Sequence, residues 1–332
     1  MLRRNLLPSV ASLTLGQMAW AKGSAAQNRS IQARLLLAFS KENRSMTTVV
    51  FSTNGPYVLI AGHRAYICDV NTGNVNITFS EISVNTAAFS TDSRRVIVAT
   101  GLGRLVVFDA STGLPLIRLI GHVSGVDDAA FSPDGRRIVS GGSDSACRIW
   151  DASSGQQLSV LTVSGERVYG VAYSPNGARI VTASGSTARV WDAETFELLT
   201  TLSPNERFLF NDRYSMQYVT SAAFSPDSLR VVTASGANAK IWDARSGNLL
   251  RTLSGHTSAV SSAKFSPRGG LVLTASLDQS AKLWDANTGR LLATLAGHGN
   301  AVMDASFSPD GDFVATASLD SHIRIWSIGS RS

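Results

Sequence analysis

A phrase that keeps returning limits what this chain can become. Residues 121–151 read GHVSGVDDAAFSPDGRRIVSGGSDSACRIWD, and worn copies of the same wording run from end to end. A closing pair, aromatic-Asp where it is best preserved, can be followed as Cys68-Asp69, Phe108-Asp109, Trp150-Asp151, Trp191-Asp192, Trp242-Asp243, Trp284-Asp285 and Trp326-Ser327. Its second members are 40, 42, 41, 51, 42 and 42 residues apart. A middle marker keeps the same period at Phe51, Phe89, Phe131, Tyr173, Phe224, Phe265 and Phe307. Two independent markers on one period describe a repeat array, in which each unit buries its apolar faces against its neighbours.

Units of about 40–45 residues carrying Gly-His and Trp-Asp have the length and punctuation of a four-stranded propeller blade. On these residues the chain resembles the WD-repeat family from about residue 33 to 327. The resemblance implies an all-β fold: a seven-bladed propeller of four-stranded antiparallel blades over residues 33–328, preceded by a leader or tail over 1–32. The chain ends just after Trp326, leaving its last unit only three strands of its own. An open blade would present an unpaired edge, which closure of the ring removes. Leu35-Leu36-Leu37-Ala38-Phe39 align with Leu249 to Leu253, so residues 35–39 are predicted to supply the missing outer strand beside 322–326.

In the third unit, Val126 to Phe131, Arg137 to Ser140, Ala146 to Trp150 and Gln157 to Leu161 alternate as strands do, separated by Gly- and Asp-bearing turns. Three units hold a complete polar set by alignment: His122, Ser140, Asp144 and Trp150; His256, Thr274, Asp278 and Trp284; His298, Thr316, Asp320 and Trp326. A buried indole N–H needs an acceptor. The hydroxyl can serve it and donate onward to the imidazole, whose tautomer the Asp fixes. His, Asp and Ser together also look like a catalytic triad, but three copies at the repeat period favour structural quartets. Units four and five lack the Gly-His and Asp, and their second-to-third-strand turns are one residue shorter. Units one and two replace the Trp with Cys68 and Phe108, and should rest on apolar packing.

The formal charge of +6 localises to the start. Arg3, Arg4, Lys22, Arg29, Arg34 and Lys41 precede the first acid, Glu42, and the remaining basic and acidic residues balance. A neutral propeller argues against nucleic acid as a partner. Cys68 and Cys147 fall in the third strands of different units and read as small core residues. The leader is basic, acid-free and moderately apolar from Leu6 to Ala21, with Pro8, Gly16 and Gln17 weakening any membrane span. It suits a secretory signal, a mitochondrial presequence or the tail of a cytoplasmic protein, so localisation is cytoplasmic, or secreted/periplasmic or mitochondrial if residues 1–30 are cleaved.

In the family that the repeat resembles, binding residues flank the first Val of each inner strand on the top face. Carried across, those positions include Asp127, Arg167, Tyr169, Tyr218 and Met303, with Arg167, Tyr169 and Tyr218 brought close together. Aromatic and Arg side chains dominate binding hot spots. The interval before Val219 is nine residues longer than its neighbours, and it carries Phe208, Phe210 and Tyr214. So much apolar surface in a loop points either to a partner or to capping of its own blade. No phosphate-binding loop, nucleophile elbow, metal-ligand spacing or cofactor motif occurs. The reading is a non-enzymatic scaffold for a protein or peptide partner, a monomeric propeller within a complex that needs no cofactor or metal. Its rival is a hydrolase-type propeller enzyme with its active site in the central channel.

Overall fold

The structure, a computed structural model, describes residues 31–40, 45–163, 165–204, 207–210, 213–216 and 218–330, with backbone alone for 207–210, 213–216 and 330. Seven four-stranded antiparallel sheets follow one another along the chain. Their inner strands are Met46–Phe51, Val84–Phe89, Val126–Phe131, Val168–Tyr173, Val219–Phe224, Val260–Phe265 and Val302–Phe307. Blades one to six are single meanders, each running from its inner strand outward to its fourth strand. Among the described residues, no helix is long and apolar enough to cross a membrane.

Blade seven is closed from the other terminus, as the alignment requires. Ile31–Ser40 pairs antiparallel with His322–Ser330, placing Leu35 opposite Trp326 and Phe39 opposite Ile323. Residues 35–39 therefore lie where they were expected, inside a longer strand. Ile31 and Gln32, assigned above to the leader, extend the pairing to Ser330 and Gly329. Leu37 and Phe39 pack on the core between blades seven and one, and Ile31 and Ala33 on the core between six and seven. Residues 1–30 lie outside the described residues, and with them the localisation reading.

The core is a ring of clusters, each shared by adjacent blades. Between blades five and six, for example, Val232, Ile241 and Leu253 meet Val260, Phe265 and Trp284. The second strands are buried on both faces, so they read as apolar runs such as Tyr57–Gly62 and Arg95–Thr100. Cys68 and Cys147 are both buried, in the third strands of their blades.

All seven inner strands share one irregularity. The ladder to the second strand skips one residue after the first: Thr47, Asn85, Asp127, Tyr169, Thr220, Ser261 and Met303. Such a β-bulge leaves the extra residue unpaired and re-aims its side chain. The bulge residue thus points along the rim of the ring, and the residue after it can also reach across to the next blade.

Candidate functional site

The three quartets assemble as the residue types require. In blade three, Trp150 Nε1 donates to Ser140 Oγ at 2.8 Å, Ser140 Oγ meets His122 Nε2 at 2.8 Å, and His122 Nδ1 meets Asp144 at 2.9 Å. The Trp284–Thr274–His256–Asp278 chain has distances of 2.8, 2.7 and 2.7 Å. Trp326–Thr316–His298–Asp320 has 3.0, 2.7 and 2.9 Å. Burial lowers all three histidine pKa values despite the adjacent carboxylates, so the rings are neutral at pH 7 and donate through Nδ1. The carboxyls are pulled the other way. Burial raises Asp320, but hydrogen bonds from the Gly299 amide and His298 outweigh it and hold it at about 2. Ser140, Thr274 and Thr316 have no exposed surface, so a substrate does not reach these hydroxyls. The triad-like chemistry is spent on holding the second-to-third-strand turn onto the sheet.

The positions expected from sequence to meet a partner lie at and beside the inner-strand bulges. Asn85 Nδ2 reaches the Val126 carbonyl of the next blade at 2.9 Å, Thr220 Oγ1 the Val260 carbonyl at 2.9 Å, and Ser261 Oγ the Val302 carbonyl at 2.7 Å. From blade three to blade five the same belt becomes charged and aromatic. Arg167 grips Asp127 with both arms of its guanidinium, Nε at 2.8 Å and Nη2 at 2.6 Å. The guanidinium also lies over the Tyr169 ring, 5.1 Å from its centroid. Tyr169 in turn meets Tyr218, centroids 5.6 Å apart and planes at 47°. Four of the residues named from sequence thus form one strip.

Asp127 is saturated within that strip, because Ser143 Oγ donates to it at 3.1 Å in addition to the two bonds from Arg167. Arg167 keeps N–H groups to spare, with 48% of its side chain exposed. Tyr218 is 54% exposed. The paired carboxylate raises the Arg167 pKa, and burial raises that of Tyr169, so the strip offers a fixed cation and, at Tyr169, a neutral phenol. It can donate hydrogen bonds to acceptors and stack on planar groups.

Met303 is a bulge residue too, but it sits half-buried on blade seven, two blades from Tyr218. Phe208, Phe210 and Tyr214 fall in a two-stranded hairpin, Arg207–Phe210 with Arg213–Met216, a sheet separate from every blade. Their side chains lie outside the described residues. The hairpin enters the top face, where Val219 N bonds the Gly185 carbonyl of the blade-four turn.

Reading only the residues flanking the first Val missed the channel layer one position on. Asp304 of blade seven accepts from Lys264 Nζ at 2.7 Å, Ser262 Oγ at 2.8 Å and the Val49 amide of blade one at 3.1 Å. Asp128 accepts from the Val171 amide of blade four at 2.9 Å and from the Ala129 amide at 2.9 Å. Burial pushes the Asp128 carboxyl up to about 6; the two amides and Lys264 pull against it, and Asp304 adds to it. Both carboxylates spend their oxygens joining one blade to the next. The bulge was the missing cue, since without it Asp128 would face away from its neighbour.

The family model described as "WD domain, G-beta repeat" matches residues 113–151, 155–192, 213–243, 247–285 and 289–327, together more than half of the chain. The chain belongs to the WD-repeat family. Each matched WD unit ends at the Trp-Asp position, and the two closing pairs without a tryptophan, Cys68-Asp69 and Phe108-Asp109, lie outside the matched segments. Among curated WD relatives, the "Periodic tryptophan protein 2 homolog" of Caenorhabditis elegans is 33% identical over 97 residues, 28% of this chain and 10% of that protein. The "Uncharacterized WD repeat-containing protein sll1491" of Synechocystis sp. is 36% identical over 63 residues, 18% of this chain and 18% of that protein. The chain therefore matches less than a fifth of the length of either WD relative.

Proposed function

We propose that this WD-repeat propeller is a non-enzymatic scaffold that holds a protein or peptide partner on its top face through Arg167, Tyr169 and Tyr218. WD-repeat propellers are typically protein-interaction platforms. The observation that carries the reading is the strip itself. Two bulge residues, Asp127 and Tyr169, join with Arg167 and Tyr218 into a cation–aromatic run. Arg167 and Tyr218 immediately precede the inner strands of blades four and five, and each is about half exposed. Asp127 acts within the strip as the anchor of Arg167, not as a free anion, so the surface favours acceptor-rich and planar groups of a partner. The 207–216 hairpin rises in the loop that ends at Tyr218, and Phe208, Phe210 and Tyr214 extend the contact.

The test is co-purification from the native host, comparing the parent chain with Tyr218→Ala and with Phe208→Ser/Phe210→Ser. Loss of the same associated protein in both variants, at an unchanged melting temperature, is the expected outcome. Retention of every associated protein in both variants overturns the reading. A large fall in melting temperature for Phe208→Ser/Phe210→Ser alone assigns the hairpin to capping of its own blade.

A further inference from the structure

The opposite face carries a second regularity. In four blades the second strand opens with an arginine, Arg95, Arg137, Arg179 or Arg230, level with the Asp of the closing pair. Each of these arginines serves the cleft to the next blade. Arg95 lies over the Phe131 ring at 5.0 Å, donates to the Gly135 carbonyl of the hairpin turn at 2.6 Å and to the Ala152 carbonyl at 3.2 Å. Arg230 repeats this with Phe265 at 5.1 Å and the Gly269 carbonyl at 3.0 Å. Arg137 bonds the Ala193 carbonyl at 2.7 Å, and Arg179 is close enough to Asp243 of blade five to help lower its carboxyl pKa. A stacked, bidentate guanidinium is the natural tenant of such a seat.

Three blades have no arginine there: Tyr57, Leu271 and Phe313 stand in its place. The aromatic ring of the next blade records the difference. Phe131, Tyr173, Phe224 and Phe265 are all buried, whereas Phe89, Phe307 and Phe51 stay partly exposed. Two of the three vacancies are filled differently, because the small Ala152, Ala193, Ala244 and Ala286 of the occupied clefts become Ile328 and Val70. The cleft between blades one and two alone keeps its alanine, Ala110, without an arginine.

The seat in that cleft is otherwise complete. Ser93 stands where Gly135 does, with the same left-handed backbone, φ 54° against 68°. The same backbone bonds hold both turns: Ser93 N to the Ser90 carbonyl and Ala110 N to the Arg94 carbonyl match Gly135 N to Ser132 and Ala152 N to Arg136. Phe89, Ser93 and Ala110, the counterparts of the three groups that hold Arg95, line a cavity of about 650 Å³ together with Tyr57 and the oppositely charged Arg94 and Asp109. Hydrogen bonds from Ser111 and Thr112 hold Asp109 at about 2, so an anion stands at the mouth. A cavity of about 550 Å³ also opens between blades three and four, but there Arg137 is one of its walls.

We propose that the bottom-face cleft between blades one and two is an arginine-binding site, which takes the side chain of an arginine presented by a partner polypeptide. The occupant follows from the chain's own precedents, since Arg95 and Arg230 fill the matching seats with a guanidinium laid over the next blade's phenylalanine and bonded to its turn carbonyl. Its planar face covers Phe89, and its N–H groups reach the Ser93 and Ala110 carbonyls. A lysine ammonium offers neither the plane nor the fork.

The test is a nuclear magnetic resonance titration of the full-length protein with a blocked Gly-Ser-Arg-Ser-Gly pentapeptide, its lysine counterpart and free arginine. Saturable shifts at the Ala110 methyl and Phe89 ring are expected for the arginine peptide, at least about tenfold weaker for the lysine peptide. Ala110→Ile, which copies the residue type of a filled cleft, is expected to abolish them. Tyr57→Arg supplies the tenant from within, and is expected to raise the melting temperature and remove the shifts. Equal binding of both peptides, binding that survives Ala110→Ile or Tyr57→Arg, binding of free arginine alone, or no shift at these two residues overturns the proposal. None of these substitutions touches the top-face strip, so this result stands or falls apart from that of Tyr218→Ala.

Discussion

Blade six and blade two face the same problem, how to fill the middle of a four-stranded sheet, with opposite chemistry. Blade six buries Trp284 and satisfies its indole through Thr274, His256 and Asp278. Blade two buries Phe108 edge-on against Phe79, centroids 5.1 Å apart, with the fully buried Val98 in place of the threonine and the exposed Leu102 in place of the Asp. Blades four and five stand between. Trp191 and Trp242 keep their hydroxyls, Thr182 at 3.0 Å and Thr233 at 2.8 Å, but their turns shrink to two residues with left-handed Gly185 and Gly236, φ 54° in both. A turn that tight needs no histidine to hold it, and each polar group is kept or dropped with the partners it satisfies.

The largest effect should come from cutting blade six's network at its end. Asp278→Ala strands the His256 Nδ1–H and the buried Ser280 hydroxyl, both now bonded to the carboxylate. At about 1–3 kcal/mol per stranded group, the loss should be about 3–4 kcal/mol in a chemical denaturation curve. The matching change in blade two, Leu102→Ala, should move the same curve by less than about 0.5 kcal/mol. Similar costs at both positions would erase the distinction between the blades.

Acid should act on the quartet blades next. Each quartet histidine has a folded pKa below its ordinary value, so an unfolded chain takes up protons that the folded one refuses. Their contribution is intact above about pH 6.5 and falls as the pH drops below it, at up to about 1.4 kcal/mol per pH unit for each ring. Asp128 works in the opposite sense. Its folded pKa is raised to about 6, so it favours the folded state below its unfolded value and loses that contribution as pH rises through about 6. Three rings against one carboxyl leave a net loss, at most about 3 kcal/mol from pH 7 to 5.5, readable as a falling melting temperature. A melting temperature that rises over this interval would mean that the quartets do not govern it.

Exchanging one residue between the two blades should be costly in both directions. Thr274→Val removes the acceptor of Trp284 Nε1 and should cost about 2–3 kcal/mol. Val98→Thr puts a hydroxyl where Phe108 and its neighbours offer no partner, and should cost about 1–2 kcal/mol. Thermal melts of both variants check the pair, and a gain in either would break the argument that the residues are chosen as sets.

Much of this was legible in the residues because the repeat writes its rules seven times. The twelve quartet residues and the closing strand follow from period and alignment, since a one-residue slip would turn every side chain to the wrong face. The closeness of Arg167, Tyr169 and Tyr218 followed from position, but the joining of Asp127 to them did not, because that grip depends on the blade-to-blade distance. The charged channel residues Asp128, Lys264 and Asp304 escaped because no single-sequence pattern reveals a β-bulge, and the bulge brings Asp128 and Asp304 to the next blade's amides. The vacant arginine seat was hidden for a related reason. Tyr57 is an unremarkable strand residue until Arg95, Arg137 and Arg230, level with it, are seen gripping the next blade.

The smallest expected effect on stability separates the proposed binding surface from the blades that hold. Tyr218→Ala removes a side chain that is more than half exposed and has one ring neighbour, Tyr169. Exposed positions of this kind shift stability by about 0.5 kcal/mol or less. Arg167→Ala is a poorer probe, because it leaves the Asp127 carboxylate, only 8% exposed, without its bidentate partner. The Tyr218→Ala protein should therefore melt with the parent, keep its elution volume on gel filtration and lose its partner. A melting temperature lowered as far as by Thr274→Val would show that Tyr218 props blade five against blade four, and the top-face strip would then belong with the quartets as architecture.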